Sequence, residues 1–269
     1  ATMSGPAFAL AFLAYLGAAA GAVGFLATRR APLGRAATRL TVAGVLLHAL
    51  TFALQTVEMG RPPLGNLGEA LSFSAWALAL LSLTTEARFG NRLVGAFLLP
   101  LVALFTGAAA LLPREVARAA AENAWIWIHV TLVMLGSAAF AFIFGVGLMY
   151  LLQERQLKGK VLGPLAFRLP PLEVLDALAY EALWLGFPLL TLGIILGSLQ
   201  GKQLWGAYWV WGTKETWSLL TWLIYGLLLL ARLNAGMRGR KAAILSIVGF
   251  GAVLFTFLGV SLMAPPRVN

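Results

Sequence analysis

Long apolar stretches alternate along the chain with short segments of charge, proline and glycine. A helix needs about 20 mostly apolar residues to cross a bilayer. Eight stretches meet that length: 6–28, 38–58, 68–87, 92–112, 124–152, 180–200, 215–233 and 242–264. The pattern predicts an all-α fold, a polytopic bundle of about eight transmembrane helices forming a single membrane domain over 1–269. The first stretch has no basic segment before it and is followed by Arg29 and Arg30, so it reads as a span rather than a cleaved signal. Finer features sit on this frame. In the long connection 153–179, Pro164, Pro170 and Pro171 are followed by Leu172, Leu175, Leu178 and Ala182 at helical spacing, with Glu173 and Asp176 on other faces. That predicts an amphipathic connection on the inner surface, leading into the sixth span. Pro188 predicts a kink in that span, and Gly193 with Gly197 lets another helix come close. Asn66 followed by Glu69 predicts a capping box for the third span. Glu58, Glu69 and Glu215 fall at span ends, within reach of water.

Composition agrees with the pattern. Hydrophobic residues make up 60% of the chain and charged ones 11%, against about a quarter charged in a soluble domain. The net charge of +10 has two readings, nucleic-acid binding or the basic bias of cytoplasmic loops, and its distribution decides between them. Segments 29–39, 86–92, 153–179 and 232–241 hold fourteen Lys and Arg, and the alternate segments hold six. The bias places the first set in the cytoplasm, both termini outside and the loop 201–217 on the outer face. Membrane lipid is then the surrounding partner, and no nucleic acid is implied. The chain has no cysteine, which excludes disulfides, thiolate metal sites and thiol redox chemistry carried by this chain. No phosphate loop, Ser/His/Asp set or two-histidine metal spacing occurs.

Candidate chemistry gathers in the outer loop Trp205-Gly206-Ala207-Tyr208-Trp209-Val210-Trp211-Gly212-Thr213-Lys214-Glu215-Thr216-Trp217. Two readings stand. Trp favours the headgroup level, so the loop reads as part of an aromatic belt. A belt, however, spreads Trp over many span ends, whereas here they crowd one loop with two turn-forming glycines. A concentrated π-rich surface suits a flat apolar ligand with charged edges, and haem fits that description. Only two histidines occur, His48 and His129. His129 follows Trp125 and Trp127, one turn inside the outer end of the fifth span, at the depth of the tryptophan loop. It reads as a metal ligand for an outer-leaflet cofactor, or as a neutral histidine bonded to a neighbouring helix. His48 lies near the middle of the second span and reads as a helix–helix hydrogen bond, or as a haem or proton site.

The loop resembles the tryptophan-rich "WWD" signature of haem-handling proteins, in the form WGxYWxWDPKETW of the CcsA (ResC) branch of cytochrome c assembly. The resemblance extends to Pro63–Glu69, His129–Leu132, Leu185–Ile195, Leu220–Ile224 and Arg238–Ala243, covering about residue 59 to 263. It implies haem b held against an outer platform of Trp205, Trp209, Trp211 and Trp217, with Trp125 and Trp127 nearby. His129 would be the axial ligand; by charge complementarity, Lys214 would meet a propionate. It also implies a CcsB (ResB)-like membrane subunit as partner and apocytochrome c as substrate, whose CxxCH cysteines take the haem. The setting would be the bacterial plasma membrane, with the haem site on the periplasmic side. The chain would then be part of a two-subunit cytochrome c haem lyase, or a haem-binding accessory protein similar to the HemX branch. A transporter with an aromatic gate ranks below both, because few charges fall at midplane. Gly212 and Thr213 stand where the signature has Asp and Pro, and Leu230 and Val268 stand where family histidines fall. The platform is expected to be kept, and a second axial ligand to come from another chain or be absent.

Overall fold

A computed structural model describes residues 4–112, 124–159, 168–234 and 236–259. The helices are α1 (Ser4–Thr28), α2 (Ala31–Met59), α3 (Leu67–Phe89), α4 (Gly95–Leu111), α5 (Ala124–Lys158), α6 (Leu172–Trp205), α7 (Thr213–Asn234) and α8 (Arg240–Leu254). A short 3-10 turn, Arg92–Val94, leads into α4, and one π turn, Phe255–Gly259, ends α8. All eight helices are long and apolar enough to cross a membrane, so the protein is an all-α, multi-pass bundle. Val268 lies outside the described residues.

The helices outrun the apolar stretches. Pro32 sits in the first turn of α2, where its missing N–H costs nothing, so α2 starts well before the apolar stretch 38–58. α5 and α6 likewise run past their apolar segments into charged sequence. Hydropathy marks what lipid covers, while helical backbone continues into water. The stripe Leu175, Leu178 and Ala182 is buried against the protein as the opening turns of α6. The helix runs unbroken through Pro188.

α1 packs on α2, α3 on α4 and α5 on α6, with α5 also touching α3 and α8. Residues of α5 are 72% buried over its most apolar stretch, against 22–28% for α1, α2, α6 and α7, so α5 is the axis of the bundle. Phe140 of α5 stacks on Tyr225 of α7 at 3.6 Å, both fully buried.

The two ends of the bundle differ. At one end, the one that carries the basic bias, ion pairs join Arg88 to Glu181, Arg92 to Glu86, Arg232 to Asp176 and Lys158 to Glu154. At the other, the α2–α3 turn closes on itself. Asn66 accepts from the Glu69 N–H at 2.9 Å, as a cap should. The Glu69 carboxylate is not solvated but mostly buried: it receives a two-point contact from Arg61 and the Gly65 N–H. The expected reach of Glu69 for the cap residue's N–H is thus replaced by one to Gly65. Asn66→Ala is expected to cost about 1 kcal/mol, read as a lower midpoint in denaturant titration of the purified protein.

Candidate functional site

His129 occupies the second turn of α5, facing α6. Its Nδ1 lies 2.6 Å from the Gly193 carbonyl oxygen. A carbonyl can only accept, so Nδ1 carries the hydrogen and Nε2 keeps its lone pair. This is the tautomer and the anchoring that metal-ligating histidines use. Two glycines of α6 make the approach possible. A Cβ on Gly197 would lie 2.6 Å from His129 Cε1, and one on Gly193 would lie 2.6 Å from Val133 Cγ2. The helix pair is therefore closed at these positions by absence of side chain, which is the close approach the sequence expectation drew from them.

His129 lines a cavity of about 160 Å³ with Gly197, Gln200, Leu204, Trp205, Tyr208, Trp209, Lys214 and Glu215. The lining from α6 recurs at Ile194, Gly197, Ser198, Gly201, Leu204 and Trp205, a helical stripe. The loop is tied back over this stripe. Gly206 ends α6 in the left-handed region at φ 75°, which glycine adopts without strain. Ser198 Oγ donates to the Tyr208 carbonyl at 2.8 Å, and Lys202 Nζ donates to the Gly206 carbonyl at 2.9 Å. Trp205 and Trp211 leave 65% and 75% of their surface open. Trp209 meets Trp211 edge-on at 6.0 Å, and its Nε1 is buried with no protein partner. The Glu215 carboxylate occupies the space a side chain at Gly212 would need. A side chain there would require that carboxylate to move.

Not all the sequence candidates meet here. His129, Trp205, Trp209 and Lys214 share the cavity, and Trp211 adjoins Trp209. Trp125 lines a neighbouring cavity of about 360 Å³ with Lys202, and the two cavities share Gln200 and Tyr208. Trp217 packs on Phe255 at 4.1 Å. Trp127 turns to the α2–α3 turn, 5.8 Å from the Arg61 guanidinium. His48 is buried in the α1–α2–α3 group, its Nε2 2.7 Å from Ser72 Oγ and its ring beside Phe8, Tyr15 and Phe52. That is the helix–helix bond among its sequence readings. The sequence candidates omitted Tyr208, Gln200 and Glu215 from the cavity wall; the spacing of Gln200 three residues after Gly197 was the one signal for it. Among the described residues no group of three or more His, Asp or Glu is placed to hold a bare metal ion.

A family profile described as Cytochrome C assembly protein matches residues 64–265. The cytochrome c biogenesis protein CcsA of Synechococcus elongatus is 34% identical over 271 residues, covering 83% of this chain and 83% of that protein. This chain belongs to the cytochrome c assembly family. The CcsA protein of Thermosynechococcus vestitus agrees, at 34% identity over 279 residues, 88% of this chain and 86% of its own length. That of Pyropia yezoensis is 32% identical over 86% of this chain and 85% of its length. Among solved structures, the cytochrome c haem lyase CcmF superposes with a TM-score of 0.72 over 95% of this chain at 16% identity, and the match spans 46% of CcmF. At that identity the likeness concerns the fold. The chain is thus a multi-pass membrane protein of cytochrome c biogenesis in the CcsA family.

Proposed function

We propose that this protein holds haem b against the tryptophan loop with His129 as axial ligand, and presents it for attachment to the CxxCH site of apocytochrome c. The observation that carries the reading is the His129 geometry: one ring nitrogen fixed by the Gly193 carbonyl, the other left with its lone pair, beside a cavity walled by Trp205 and Trp209. The residues fit the group. Gly197 makes room for the His129 ring, the buried Trp209 Nε1 has no protein partner, and Lys214 offers an ammonium for a propionate. At about 160 Å³ the cavity takes only an edge of a macrocycle. The rest of the ring would lie across the open faces of Trp205, Tyr208 and Trp211.

When bound, haem supplies the vinyl groups to which the two apocytochrome thiols add. The chain's own residues supply position. His129 sets the ring's depth, the tryptophans exclude water from one face, and the open side of the loop leaves the other to the substrate. With no cysteine here, both thiols belong to the apocytochrome. A CcsB (ResB)-like membrane subunit would complete a two-subunit haem lyase and supply the second axial ligand. The periplasmic face of the bacterial plasma membrane would then carry the loop, following the basic bias of the opposite end.

A binding-only role similar to the HemX branch draws support from Leu230. It stands where a family histidine falls and is half exposed on α7. Two measurements test the pair. Protein purified from haem-replete cells should show a Soret band, and His129→Ala should lower its haem content at least about tenfold, the scale on which even outer-shell partners of a metal act. A haem-free wild type would sink both readings. Co-expression with a CcsB-like subunit and a CxxCH substrate then separates them, since only the lyase yields covalent cytochrome.

A further inference from the structure

A large cavity lies away from the tryptophan loop. It is a cleft of about 780 Å³ at the basic end, between the α1–α2 pair and α3. Its walls include Phe25, Val42, Leu83 and Leu93, and its polar lining includes Arg29, Glu86 and Arg92. Gly34 lets its walls approach: a Cβ there would meet the Phe25 ring at 3.2 Å and Arg92 Cδ at 3.3 Å. The carboxylate of Glu86 is already engaged, accepting from Thr38 Oγ1 at 2.7 Å and from Arg92 Nε at 3.0 Å.

Positive charge is concentrated at the C-terminal end of α1, where the helix dipole favours it. Arg168 reaches from the α5–α6 connection to the Leu26 carbonyl at 2.8 Å and also donates to the Ala27 carbonyl. It thereby satisfies the last carbonyls of α1 and sets its guanidinium near Arg29. Partial desolvation and then the Arg168 charge both push the Arg29 pKa below the usual guanidinium value. Arg29 is also the one described non-glycine residue in the left-handed region, at φ 57°. A side chain rarely adopts that conformation without compensation. The turn thus gathers like charges in a strained backbone at the mouth of an apolar cleft.

We infer that this cleft binds one anionic phospholipid, with its phosphate on Arg29 and Arg92 and an acyl chain along Phe25, Val42 and Leu83. The charge balance selects an anion, and the volume falls in the range of ligand-binding cavities. The apolar walls select a lipid over free phosphate, which could use the arginines alone. Basic pockets between spans are a recurrent way of holding anionic headgroups. The site is independent of haem at the opposite end.

The test uses the full chain purified in an uncharged detergent, incubated with dioleoyl-phosphatidylglycerol or dioleoyl-phosphatidylcholine, with retained lipid counted by native mass spectrometry. Wild type should keep one phosphatidylglycerol under conditions that strip phosphatidylcholine. Arg29→Gln should weaken that retention about fivefold, the share of one cation near a headgroup. Leu83→Trp, which fills the cleft, should do the same with the headgroup contacts intact. Arg238→Gln, at the same end but outside the cleft, should leave retention unchanged. Equal retention of both lipids would overturn the inference, as would wild-type retention in both cleft variants, an equal loss in Arg238→Gln, or displacement by inorganic phosphate alone. Should Leu83→Trp fail to fold, the exposed Arg29→Gln decides.

Discussion

Valine at Gly197 is expected to empty the His129 site while leaving the bundle folded. The Cβ alone would sit 2.6 Å from His129 Cε1 and 2.9 Å from Nδ1, closer than non-bonded atoms tolerate. The imidazole cannot swing aside freely, because its Nδ1 is tied to the Gly193 carbonyl at 2.6 Å. Either that bond breaks or α5 and α6 part. Overpacking of this kind costs about 1–3 kcal/mol, a loss such a bundle can carry. The haem content of Gly197→Val should then match that of His129→Ala, with a modest drop in melting temperature. Wild-type haem in Gly197→Val would show that the ring has another place to go, and would remove His129 as the positioned ligand. Gly193→Ala is a useful contrast. Its Cβ meets the Val133 side chain first, so packing should suffer before the imidazole does.

The second large effect lies at the basic end. Asp176 accepts from both terminal nitrogens of Arg232, at 3.2 and 3.0 Å, and from the Gly239 N–H at 3.0 Å. The Arg232 side chain is only 5% exposed, and its Nε has no partner. Asp176→Ala would strand a buried guanidinium, which costs about 3–5 kcal/mol. Exposed pairs at the same end, such as Arg88–Glu181, should contribute at most about 1 kcal/mol. Denaturant titration of Asp176→Ala against Arg88→Ala checks the contrast, and similar losses in the two would overturn it.

The sequence made the spans legible because lipid imposes one strong rule: long apolar stretches with every backbone group bonded internally. The glycine pair was also legible, since small residues one turn apart have a single common use between helices. Other features depended on the rotation of each helix, which apolar stretches do not encode. Trp125 and Trp127 are two positions apart on α5, so they point in different directions, one to the cavity beside Tyr208 and the other to Arg61. Trp217 lies in the second turn of α7 rather than at the end of the loop, and there it packs on Phe255. The position of Glu215 was not legible either: it folds into the space beside Gly212, although the signature carries both an Asp there and the Glu.

One helix connects the regions discussed. α6 has 34 residues, about 50 Å of rod. The Asp176–Arg232 pair grips one end, and the glycine pair and Gly206 shape the other. Pro188 lies near the middle, where it removes one hydrogen bond from the ladder. α5 packs on its backbone there, with Gly136 against the Gly186 carbonyl and the Leu190 backbone nitrogen. Mechanically this is a beam with its softest section resting on a fulcrum. The load it carries at the loop end passes to α5 through the bond from His129 to the Gly193 carbonyl.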